Sequence, residues 1–151
     1  MKKSLIIAEA SDTEIINARK ACFDKNVSAY IVHNVSSGLD ALDMGPVFSA
    51  VIIDLYIPLD FLRTEKPQKI PQGLTLALKC LELNIPFLII SNDTLPDLFY
   101  LKMLIKTLEN HPKFQQNIIP CFLGVKNWSL IISEALNLDE QKEDIKKVSS
   151  K

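Results

Sequence analysis

Short unbroken apolar runs alternate along this chain with stretches whose apolar residues recur every three or four positions. Residues 4–8 (SLIIA), 48–55 (FSAVIIDL), 86–91 (PFLIIS) and 118–125 (IIPCFLGV) are runs of the first kind, and 27–35 (VSAYIVHNV) is a more mixed one. Such runs predict strands buried on both faces, as in parallel sheets. Between them Ile15, Ala18 and Cys22, with Ile16 and Phe23 alongside, mark a first helix that Asn26 ends. Residues 36–42 form a short second helix, broken by Gly45-Pro46. Leu74, Ala77, Leu78 and Leu81 give one stripe on a helix over 73–81, stopped by Asn84. Leu98, Leu101, Ile105 and Leu108 do the same over 96–109, and Trp128, Ile131, Ile132 and Ala135 on a last helix.

The punctuation agrees with this division. Ser11 followed by Glu14 three residues on predicts a capping box at the first helix. Pro96 suits a first helical turn. Pro120 assigns the fifth strand to a sheet edge, because proline has no N–H for a central ladder. Residues 59–72 show no period and read as a long loop. Residues 139–151, nearly all polar or charged, are expected to fray as a tail behind a domain of residues 1–138. A strand followed by a helix, five times over, predicts an α/β fold: a doubly wound, five-stranded parallel sheet with helices on both faces.

Composition narrows the class. A chain of 151 residues can bury one sizeable core. Hydrophobic residues make up 48% and charged residues 23%, which fits a globular domain rather than a disordered one. A net charge of −1 argues against nucleic-acid binding by bulk electrostatics, though not against a local patch. Cys22, Cys80 and Cys121 lie in apolar contexts at wide spacing, so buried thiols in a reducing compartment are expected. The apolar run after Met1-Lys2-Lys3 is too short for a signal peptide and no later run spans a bilayer, so a cytoplasmic protein is expected. His33 has no Cys, His or acid pair nearby and is expected to be packed or solvated rather than a ligand. Gly38, Gly45, Gly73 and Gly124 never combine into G-x-G or G-K-[ST], and G-x-S-x-G is absent. Dinucleotide, P-loop and hydrolase-elbow chemistry are thereby disfavoured. Arg63, Lys66 and Lys69 in the long loop read as a solvated charge cluster, with an anionic partner as the alternative.

Four polar residues follow apolar strands: Glu9 the first, Asp54 the third, Ser91 the fourth and Lys126 the fifth. In a parallel sheet all four converge at the carboxyl edge, where open α/β folds place their ligands. Together they suit phosphoryl chemistry. A carboxylate can attack phosphorus and become an acyl phosphate. Its neighbours then offset charge on the phosphoryl oxygens, the lysine as a point charge and the serine by hydrogen bonding.

In this order the residues resemble a response-regulator receiver domain, the phosphoacceptor module of two-component signalling. The resemblance spans residues 3–138. It rests on VIIDLYIP at 51–58 (apolar strand, Asp, three residues, Pro), on Gly73-Leu74 opening the third helix, on Ser91, and on Lys126-Asn127-Trp128 where the family has Lys-Pro-aromatic. It implies a flavodoxin-like topology with strand order 2-1-3-4-5. Asp54 would be the phosphoacceptor, Ser91 the phosphate-sensing hydroxyl and Lys126 the charge partner. Mg²⁺ would be held by Glu9, Asp54 and the Tyr56 backbone carbonyl. A histidine kinase or phosphotransfer protein, or another signalling protein, would be the partner, and the chain would at most phosphorylate itself from small donors and dephosphorylate itself. The broad apolar arc of the 96–109 helix adds the expectation of a further contact there, a homodimer among the candidates.

The chain also departs from the family. Ala8 and Ala10 flank Glu9 where two adjacent acids are usual, Asn92 replaces a small residue after Ser91, and Leu123 stands where an aromatic switch residue is usual, with Phe122 adjacent. Residues 59–72 exceed the family's tight loop. These departures define the alternative: a pseudo-receiver that binds a partner constitutively and takes no phosphate.

Overall fold

The computed structural model describes residues 2–44, 48–60, 70–92, 99, 102–103, 106 and 121–149. The elements run β1 (Ser4–Ala8), α1 (Asp12–Asp24), β2 (Ser28–Val32), α2 (Val35–Asp43), β3 (Ala50–Asp54), α3 (Gly73–Leu83), β4 (Phe87–Ser91), β5 (Cys121–Leu123) and α4 (Trp128–Ser149). The strands make one sheet in the order β2-β1-β3-β4-β5, every neighbouring pair parallel. This is the expected doubly wound topology, with β5 at an edge. The chain leaves β1 for β2 on one side and returns to β3 on the other. The carboxyl ends of β1 and β3 therefore flank the point where the winding reverses, which is where such sheets open a crevice.

Successive residues of a strand face opposite sides, and the core divides accordingly. Ile6, Ala8, Val51, Ile53, Phe87 and Ile89 pack under α2 and α3 with Leu76, Ala77 and Cys80. Leu5, Ile7, Ala50, Ile52, Leu88 and Ile90 pack under α1 and α4 with Ala18, Cys22, Trp128, Ile131, Ile132 and Ala135. Burying each large aliphatic side chain is worth ~1.5–3 kcal/mol, so these central strands dominate stability. Burial also pushes the thiols up, to about 11 for Cys22 and about 12 for Cys80, leaving both as inert apolar filler.

The structure departs from the expected elements in several places. The second strand stops at Val32, because Asn34 turns to cap α2 and its side chain accepts the Ser37 N–H at 2.7 Å. Val35 is thus the first helical residue, and its own N–H donates to the Pro58 carbonyl. His33, beyond the strand, is exposed. On α3 the fully buried positions are Gly73, Leu76, Ala77 and Cys80, while Leu78 is exposed. The helix is thus rolled toward Gly73, Leu76 and Cys80 and away from Leu78, while Ala77 is buried as expected and Leu74 and Leu81 pack partly buried against the core. Gly73 sets that roll: its N–H donates to the Leu55 carbonyl, and a Cβ there would lie 2.3 Å from the Asp54 carbonyl oxygen. On α1, Ile16 and Phe23 face solvent. Finally, α4 continues through the expected tail to Ser149, with the Lys3 ammonium 2.6 Å from Asp139 where the fraying was expected to begin.

Asn84 stops α3 as expected, in the left-handed conformation (φ 58°, ψ 42°) that asparagine tolerates. The loop cations at 63, 66 and 69, most of the 96–109 helix with its homodimer expectation, Pro120, and the side chains of Cys121, Phe122 and Leu123 lie outside the described residues. Among the described residues, no helix is long and apolar enough to cross a membrane.

Candidate functional site

Glu9 leaves β1 directly beside the end of β3, since Ala8 pairs with Ile53. Its backbone N–H stays in the sheet, donating to the Val32 carbonyl at 3.0 Å. Its side chain is buried, 2% exposed as a residue. One carboxylate oxygen, Oε1, accepts the N–H groups of Ala10 and Ser11, each at 3.1 Å. These donors open the turn into α1, where Ser11 in turn caps the Glu14 N–H. Only half of the expected capping box forms, because Glu9 has taken the Ser11 N–H that Glu14 would have accepted. Glu14 instead accepts the indole N–H of Trp128 at 2.7 Å, tying the start of α1 to the start of α4.

Asp54 ends β3. Its Oδ1 accepts the Tyr56 N–H at 2.8 Å within a turn closed by Ile57 N–H to the Asp54 carbonyl. What Tyr56 is seen to give the site is this N–H. Lys126 arrives from the other side of the crevice on the loop between β5 and α4. Its ammonium donates to Glu9 Oε2 at 2.5 Å and to Asp54 Oδ2 at 2.7 Å. The Lys126 side chain is 1% exposed, that of Glu9 3% and that of Asp54 16%. Asp54 is therefore the member of this trio that solvent reaches. Ser91 ends β4 one step beyond Ile90, the register partner of Asp54, and is buried. Its carbonyl accepts the Gly124 N–H, which anchors the loop that delivers Lys126.

The electrostatics follow from this packing. Burial, and then the charge of Asp54, raise the Glu9 carboxyl pKa above its ordinary value against the pull of Lys126. Burial works against the Lys126 ammonium too, but Asp54 and Glu9 outweigh it and hold its pKa above the usual lysine value. Two carboxylates and one ammonium leave a formal charge of −1.

Glu9, Asp54, Ser91 and Lys126, all expected on strand ends, are thus brought to one edge. Asp12, the next acid along the chain after Glu9, lies exposed at the first helical position of α1, and Asn92 is exposed. Two features escaped sequence reasoning. One is the pair of N–H donors on Glu9, for which no side chain gives a signal. The other is the Glu14–Trp128 bond, for which one existed: a buried indole N–H needs an acceptor.

Mg²⁺ at Glu9, Asp54 and Tyr56 can be tested against these contacts. All four carboxylate oxygens already accept hydrogen bonds within the chain. Positions 8 and 10, where a further acid would stand, are a buried and an exposed alanine. Among the described residues, no group of three or more His, Cys, Asp and Glu side chains gathers as a metal cage. The donor set as placed does not fit the ion.

No family model and no curated protein matches the chain. Solved structures do. The chain is similar to NtrX from Brucella abortus, with a TM-score of 0.66 and 13% identity over 98% of this chain and 30% of that one, so it spans less than a third of NtrX. It is similar to a CheY-like response regulator receiver domain protein from Methanospirillum hungatei, with a TM-score of 0.65 and 13% identity over 95% of this chain and 99% of the other. The phosphorylated cyanobacterial phytochrome response regulator RcpA gives a TM-score of 0.59 at 14% identity, over 93% of each chain. Identities this low speak for architecture, and together with the strand order they settle it: the chain has the fold of a response-regulator receiver domain.

Proposed function

We propose that the chain is a receiver-like signalling module in which Asp54 accepts a phosphoryl group from a histidine kinase or phosphotransfer partner and passes the signal on through protein contacts. The observation that carries this reading is the difference in access within the charged trio. Glu9 and Lys126 are sealed, whereas Asp54 is partly open at the carboxyl edge of the sheet. An oxygen of Asp54 attacks phosphorus, the bond from phosphorus to the donor breaks, and the donor leaves with that electron pair. Lys126, already on Asp54 Oδ2, offsets charge on the phosphoryl oxygens. Ser91, at the same edge, supplies a hydroxyl to the product.

A second reading has its own support: all four carboxylate oxygens are satisfied before any ligand arrives, as in a module that no longer takes phosphate and binds its partner constitutively. One experiment separates the two. Intact mass is measured after incubation with acetyl phosphate, beside an Asp54→Asn control. A single phosphoryl adduct that the control lacks is the expected result. A folded wild-type chain without an adduct sinks the first reading in favour of the second.

A further inference from the structure

The lysine of this site does more than accompany the acids. Its ammonium bridges Glu9 Oε2 and Asp54 Oδ2, and its side chain is 1% exposed. The backbone on either side of it is pinned. Gly124 N–H donates to the Ser91 carbonyl, and Asn127 caps α4, its side chain accepting the Leu130 N–H at 3.2 Å and its carbonyl the Ile131 N–H at 2.9 Å. One residue further, Trp128 is buried and bonded to Glu14. The backbone of Lys126 is thereby held in place, and its side chain is held by the two carboxylates alone. Moving it would strand an ammonium in a buried setting or leave two carboxylates facing each other. The opposite oxygens, Glu9 Oε1 and Asp54 Oδ1, are committed to N–H groups of the chain. A divalent ion entering here would compete with a fixed positive charge for the same ligands, with only a single formal negative charge left to attract it.

We propose that Lys126 is the resident cation of this pocket: it occupies the carboxylate oxygens a divalent ion would use, so the pocket excludes Mg²⁺ and any phosphoryl chemistry at Asp54 proceeds without it. The exclusion stands on the contacts alone; its second clause rests on the reading of Asp54 as phosphoacceptor.

The test is a count of bound Mn²⁺, read from the loss of the free-ion paramagnetic signal and competed with Mg²⁺, on the full chain, Asp54→Asn, Lys126→Met and the Lys126→Met/Asp54→Asn double variant. The wild type is expected to bind no more Mn²⁺ than Asp54→Asn. Lys126→Met is expected to gain one ion that Mg²⁺ displaces and that the double variant loses. A wild-type chain that binds one Mn²⁺, displaced by Mg²⁺ and lost in Asp54→Asn, overturns the proposal. A folded Lys126→Met that gains nothing overturns the role given to the lysine. If that variant does not fold, the comparison of wild type with Asp54→Asn still decides whether the ion is excluded. Acetyl phosphate labelling in Mg²⁺ and in EDTA separates this proposal from the one before it. Equal adduct in both supports both. An adduct in Mg²⁺ alone overturns the exclusion and leaves the phosphoacceptor standing. No adduct in either overturns the phosphoacceptor, and the Mn²⁺ count then rules on the exclusion.

Discussion

Under α2 and α3 the sheet is held by apolar contact at close range, with a long ion pair from Lys79 to Asp43, 4.0 Å, at the exposed margin. Gly73 sits against the backbone of Asp54 and Leu55, and Gly38 lets Leu76 approach to where a Cβ would lie 2.8 Å from its tip. Under α1 and α4 an apolar core is present too, but polar bonds lace its margins: Glu14 to Trp128, Lys3 to Asp139, and Lys126 to Glu9. Asp54 belongs to both regions. Its backbone is placed by the glycine side and its carboxylate by the lysine side. Rigid packing fixes where the carboxylate starts, and the Tyr56 N–H on one oxygen and the Lys126 ammonium on the other fix where it points.

Breaking the lysine side should cost most. Lys126→Met leaves Glu9 and Asp54 buried and unbalanced, and removing one partner of a buried ion pair costs about 3–5 kcal/mol, measurable by urea unfolding. A loss below about 1 kcal/mol would mean that the trio behaves like a surface pair. The glycine side comes next. Gly73→Ala drives a Cβ into the Asp54 carbonyl oxygen, a backbone atom, and should cost about 1–3 kcal/mol. Gly38→Ala meets only the ends of the Leu76 side chain, and alanine recovers about 1 kcal/mol of helix propensity. It should cost less than half as much; equal losses would refute the distinction between backbone and side-chain contact. Glu14→Met removes the acceptor of the Trp128 indole and should cost about 0.5–1.5 kcal/mol, with a larger effect on Lys126-dependent properties than on the α2–α3 side.

The smallest effects are in pH dependence. The Glu9 carboxyl is raised above its ordinary 4.5, so the folded chain holds that proton more tightly than the unfolded one. Stability should fall as pH climbs from 4.5 through the raised value, and Glu9→Gln should flatten that limb. The Lys126 ammonium is raised above 10.5. Its contribution should be complete below 10.5 and lost as pH rises through the raised value. Lys3, paired with Asp139 and shifted the same way, titrates in the same window, so Lys126→Met should remove only part of the alkaline limb.

These contrasts also explain what could be read from the sequence. The central strands and the burial of Trp128, Ile131, Ile132 and Ala135 were legible because each rests on an apolar run or stripe. Glu9, Asp54, Ser91 and Lys126 were legible because each stands at the end of such a run. Where a residue has two uses, the pattern misleads. Asn34 looks like the interior of an apolar strand but caps a helix, and Glu14 looks like a capping acid but serves an indole. The roll of α3 was hidden because leucine spacing cannot register one glycine pressed against Asp54. The continuation of α4 was hidden because charged residues do not disclose whether they solvate a helix or a tail.

Asp54 is the open member of the trio, beside a sealed Glu9 and Lys126, and the direct test of its role is chemical. The chain is treated with acetyl phosphate and then with borohydride, which reduces an aspartyl phosphate to homoserine, and the modified residue is located by peptide mass mapping. Homoserine is expected at position 54, with Glu9 unmodified. Reduction at another carboxylate, or none in a folded chain, would contradict that role.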